Sequence, residues 1–137
     1  MTSTPIEVDD WVHASLFHPR MTATVGLPPA EALDLLAGSL GAHGYQVKDA
    51  TTTGFRATWW DRTGFLGVIA ATDWDFKRTR LAVSASASGS GTELAIQVER
   101  GAEHRAGRRQ GREALNAAFQ DAQRHGVPVS TTPWVRA

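Results

Sequence analysis

The stretch from Leu81 to Val98 constrains this chain more than any other. Leu81, Val83, Ala85 and Ala87 alternate with Ala82, Ser84, Ser86 and Ser88, and Gly89-Ser90-Gly91 follows. Leu94, Ile96 and Val98 then alternate with Glu93, Ala95, Gln97 and Glu99. A side-chain period of two belongs to strands, because successive residues point to opposite faces of a pleated sheet. Two such runs joined by a glycine-rich turn read as an antiparallel hairpin with one greasy face. That face needs a layer on top of it, so the rest of the chain must supply one.

Strand-like alternation recurs upstream. Met21, Ala23, Val25 and Leu27 share one face of a strand over 21–27, and Tyr45 and Val47 alternate with Gln46 and Lys48. Phe55, Ala57 and Trp59 oppose Arg56, Thr58 and Trp60, with a turn expected at Asp61-Arg62-Thr63-Gly64. Two segments have helical spacing instead. Pro28-Pro29 opens the first, with Glu31 in its first turn and Leu33, Leu36, Ala37 and Leu40 on one stripe; Leu35 points away from it, which reads as an ordinary exposed leucine rather than a second contact surface. The second runs within 103–125, where Gly111, Leu115, Ala118 and Ala122 form a stripe with Phe119 at its edge. Glycines inside a helix each cost about 1 kcal/mol relative to alanine, which moves its expected start toward Arg109.

The expected fold is therefore α+β: an antiparallel sheet of about five or six strands in the order β-α-β(n)-α, with a long C-terminal helix packed on it. A chain of 137 residues is a normal size for one such domain. The expected division is an N-terminal arm over 1–20, one domain over 21–126 and a C-terminal arm over 127–137. Over roughly residues 21 to 125 this element order resembles the helix-grip and TATA-binding-protein-like folds. The resemblance implies a curved sheet gripping the last helix, and it carries no function with it.

Composition excludes several chemistries. The chain has no cysteine, so disulfides, thiolate metal sites and cysteine nucleophiles are out of the question. Fourteen basic and fourteen acidic side chains cancel, leaving no overall field to hold nucleic acid or an anionic membrane. No secretion signal and no apolar run of membrane-spanning length is visible, and the expected location is the cytoplasm. His13 and His18 lie near Glu7, Asp9 and Asp10 without the spacing of a zinc motif, so neither a metal nor any other cofactor is expected. Catalytic motifs are equally absent, and Asp73 and Asp75, the one candidate carboxylate pair, read better as strand-end residues.

What remains points to binding. Arg105, Arg108, Arg109 and Arg112 follow His104 in the one basic cluster, and Arg108 and Arg112 project beside the apolar helix stripe, where they could meet an anionic group. Trp59, Trp60 and Trp74 fall in the strand region, and the small residues along the last helix leave room beside it. The expected ligand-binding residues are Trp59, Trp74, Arg108, Arg112 and Phe119, lining a mostly apolar pocket for a small apolar or amphipathic, anionic ligand. The alternative is a homo-oligomeric interaction module, since Phe65 to Ala71 would put apolar side chains on both faces of the sheet and something must cover the second. A cyclase or isomerase rests on fold analogy alone.

Overall fold

The computed structural model describes residues 4–12, 18–60 and 78–136. Among the described residues, six strands and two helices follow one another: β1 (Arg20–Val25), α1 (Pro29–Ala42), β2 (Gln46–Lys48), β3 (Gly54–Trp60), β4 (Arg78–Ser88), β5 (Gly91–Arg100), α2 (Arg105–Arg124) and β6 (Val129–Thr131). The strands form one open sheet in the order β2-β3-β4-β5-β1-β6, and every neighbouring pair is antiparallel. The chain is thus an α+β fold in which the first strand lies beside the last strand of the meander, with β6 added on its far side.

The hairpin expected at Gly89-Ser90-Gly91 is present, and its register places Val83 opposite Ile96 and Leu81 opposite Val98. A bulge between Arg80 and Leu81 shifts that register and sets Arg100 opposite Arg80, while Glu99, next to inward Val98, lies with the arginines on the outer face. Leu81, Val83, Leu94, Ile96 and Val98 are all buried, as are Met21, Ala23 and Val25 of β1. These side chains form the inner face, and α1 and α2 lie together on it. Pro29 opens α1 with its φ already set for a helix, and Leu33, Leu36 and Leu40 are buried on one side. Leu35, expected to be exposed, is half-buried and packed against the edge of this core. The Ser39 hydroxyl donates to the Ala114 carbonyl at 2.6 Å, tying the two helices.

The second helix begins at Arg105, a full turn before the expected start near Arg109. His104 caps it, with Nδ1 accepting from the Gly107 amide at 3.3 Å. The glycines that argued for a later start are there because the helix touches the sheet. A Cβ on Gly107 would fall 2.0 Å from Thr79 Oγ1, and one on Gly111 would fall 2.8 Å from the Tyr45 hydroxyl. Close packing at these two positions outweighs the propensity cost.

Residues at both ends of the chain belong to this layer. Val8 and Trp11 are buried, and Trp134 is buried against Trp11, ring centroids 4.9 Å apart and nearly edge to face. On the C-terminal side the backbone of Val135 pairs with Arg20, extending the β6 side of the sheet.

Candidate functional site

The outer face of the sheet is polar. Glu99 Oε1 lies 3.1 Å from Arg56 Nε and 3.4 Å from Arg80 Nε, so one carboxylate sits between two guanidinium groups. Trp59 and Trp60 point to opposite faces, as strand geometry requires. Trp59 lies inside, its ring 5.4 Å from that of His104, while Trp60 lies outside with the Arg78 guanidinium 4.6 Å over its ring. The arginine packs its charge on the face of this outward tryptophan. Trp74, the carboxylates Asp73 and Asp75, the turn at 61–64 and the apolar run from Phe65 to Ala71 lie outside the described residues.

On the inner face, the room left by small residues along α2 is taken by the chain's own large side chains. Trp59 and Thr79 pack on Gly107; Tyr45 and Trp11 pack on Gly111. The Tyr45 hydroxyl donates to the Gly107 carbonyl at 2.6 Å, and burial holds its phenol above the ordinary tyrosine pKa. Phe119 is fully buried in the core. Trp11 is fully buried as well, and its indole N–H donates to the Ala102 carbonyl at 2.8 Å.

Arg108 and Arg112 both face the N-terminal arm, residues 4–12. The Asp10 carboxylate lies 2.8 Å from Arg108 Nε, an ion pair whose N–H is not aligned as a hydrogen bond. Glu7 Oε2 lies 3.4 Å from Arg112 Nη2, and Arg112 Nε donates to the Val8 carbonyl at 2.6 Å. The anionic groups expected to meet these arginines are thus supplied, in this structure, by the chain itself.

The arginines are the first part of a longer pattern. Asn116 Oδ1 accepts from the Val8 amide at 2.6 Å, and Gln120 Nε2 donates to the Ile6 carbonyl at 2.8 Å. Gln123 accepts from the Ile6 amide at 2.9 Å and donates to the Thr4 carbonyl at 3.2 Å. Positions 112, 116, 120 and 123 form one stripe of α2, and it grips alternate residues of the arm, Val8, Ile6 and Thr4. The spacing fits: four residues of helix rise about 6 Å, and two residues of extended chain span about 6.6 Å. The arm runs antiparallel to α2 in this arrangement. From the other side, the Trp134 indole donates to the Asp9 carbonyl at 2.7 Å. These bonds all run from side chains to arm backbone.

Thr4, Pro5 and Ile6 border an open groove of about 1060 Å³, lined on its other side by Gln123, Arg124, Val127 and Val129 among others. Among the described residues, no three histidine or acidic side chains are grouped to hold a metal ion, and no helix is long and apolar enough to cross a membrane.

Arg108 and Arg112 stand out in the sequence, whereas Asn116, Gln120 and Gln123 do not. Their one signal is the i, i+4, i+8, i+11 repeat of amide and guanidinium side chains next to the apolar stripe. That repeat looks the same as a solvated helix flank until the arm is laid on it. No protein-family model matches this chain, and no curated protein matches it.

Proposed function

We propose that the domain is a non-catalytic interaction module whose working surface is the α2 stripe Arg112–Asn116–Gln120–Gln123 with the socket beside Gly111. Its ligand is an extended, acidic segment carrying an aromatic residue, and the chain's own arm is the resident occupant. The single observation that supports this reading is the ladder itself. Four side chains at helical spacing hold both N–H and C=O groups of alternate residues in an extended segment. Amide side chains carry a donor and an acceptor each, which suits them to backbone recognition. Selectivity then rests on two further features, the aromatic socket at Gly111 and the carboxylate contacts at Arg108 and Arg112. The ligand is amphipathic and anionic in the sense that the arginine pair suggested, delivered as a peptide.

The test uses a fluorescently labelled peptide of residues 4–12 and the full chain. An Asp10→Arg variant sets like charges against each other at Arg108 and loosens the resident arm. That variant is expected to bind the peptide, more tightly than wild type, whose tethered arm competes at an effective concentration on the order of millimolar. Adding Asn116→Ala and Gln120→Ala to it should abolish binding. A folded Asp10→Arg chain that ignores the peptide at millimolar concentration would refute the reading.

A further inference from the structure

We infer that the segment this surface takes in trans is the N-terminal arm of a second copy of the chain, so that two copies exchange arms and dimerise. The inference rests on the interaction-module reading, and three observations carry it further. The ladder grips backbone groups, and the side chains that add selectivity, Glu7, Asp10 and Trp11, are ones that every copy carries. Among the described residues the arm pairs with no strand through its main chain, and side chains of the body hold its backbone at Thr4, Ile6, Val8 and Asp9. It can therefore leave without opening the sheet.

The third observation is where the chain enters β1. His18 has a φ of 52° and stands directly before Pro19. A non-glycine residue seldom occupies this left-handed region, and the residue before a proline is further restricted toward extended conformations. A strained residue thus stands between arm and body. Exchange leaves every arm contact intact in kind while giving that residue a different path, and strained connections of this sort favour swapping.

The experiment mixes two full-length variants, Asp10→Arg and Arg108→Asp. Within either variant alone the arm meets a like charge, in cis or from an identical partner, so each is expected to run at monomer mass in light scattering. In an equimolar mixture an exchanged pair matches both contacts, and the mass is expected to double. The double variant on one chain restores the contact in cis and should behave as wild type, whose dimer fraction rises with concentration. Arg108 is largely covered, so the more exposed pair Glu7→Arg and Arg112→Glu repeats the test should Arg108→Asp fail to fold. If the mixtures stay at monomer mass while Asp10→Arg still binds the labelled arm peptide, exchange is overturned and the module stands. If the peptide does not bind either, the module reading itself has failed.

Discussion

Replacing single glycines by alanine gives a direct measure of how closely α2 rides on the sheet. Gly38 in α1 and Gly107 in α2 both sit inside helices, and either change to alanine gains about 1 kcal/mol of helix propensity. What differs is the space around the new methyl group. At Gly38 nothing lies within 4 Å, so Gly38→Ala should keep the gain and raise the melting temperature by about 4 °C. At Gly107 the methyl would fall 2.0 Å from Thr79 Oγ1 and 2.7 Å from its Cβ, and Thr79 is fully buried with its hydroxyl donating to the Gly101 carbonyl at 3.0 Å. Helix or strand must move, and overpacking of this kind costs about 1–3 kcal/mol, with the lost hydroxyl bond adding about 1. Set against the propensity gain, Gly107→Ala should lower stability by about 1–3 kcal/mol. Urea denaturation at fixed pH measures both. A double-mutant cycle with Thr79→Ala should recover part of the loss, because the two positions share one contact. Equal stability for the two glycine variants would refute the packing of α2 on β4 and the inner layer built on it.

Two further predictions concern Tyr45 and Trp11. Because burial raises the Tyr45 pKa above its ordinary 10.0, the folded chain keeps a proton that the unfolded chain releases as pH climbs past about 10, so stability should fall there by up to about 1.4 kcal/mol per pH unit. Tyr45→Phe should remove that slope and cost about 1 kcal/mol at neutral pH through the lost bond to Gly107, as read by denaturation across pH 8–11. Trp11→Ala should free the arm to proteolysis and hydrogen exchange, with a global loss below the roughly 3–5 kcal/mol of a tryptophan truncated in a fixed core. A larger loss with the arm still protected would show that the arm is inseparable from the core.

Strand faces and helix stripes were legible in the sequence because burial imposes their periods directly. The hairpin at Gly89-Ser90-Gly91, the buried face of β1 and the Leu33–Leu36–Leu40 stripe need only local information. The long-range contacts were not legible. Small residues at Gly107 and Gly111 read equally as an empty pocket and as a seat for large side chains, and only the fold brings Trp11 and Tyr45 to them, about a hundred and about sixty positions away along the chain. The sequence offers Arg108 and Arg112 to an anion, and their partners Asp10 and Glu7 lie in a segment whose sequence has no period at all. An extended strap held by side chains leaves no hydrophobic rhythm to detect. The later start expected for α2 shows the same gap, since helix propensity counts the cost of glycine and has no access to the neighbour that requires it.

The energetics of the arm decide whether such a surface can exchange its occupant. Ordering the nine residues 4–12 costs on the order of 14 kcal/mol of conformational entropy. Burial of Trp11 and Val8 returns about 7 kcal/mol, and the six side-chain bonds to arm backbone return about 1 each. The two sides come out level to within a few kcal/mol, so holding the arm and releasing it are nearly balanced. A meander strand such as β5 is different, because removing it breaks the ladder on both sides at once. The body can therefore keep its fold while the arm opens, and the ladder, the Gly111 socket and the two arginines then become available together to another segment of the same chemistry. A stronger core contact in place of Trp11 would lock the arm shut, and a weaker one would leave the socket open to water. A near balance of this kind is what an occupied but replaceable binding surface requires.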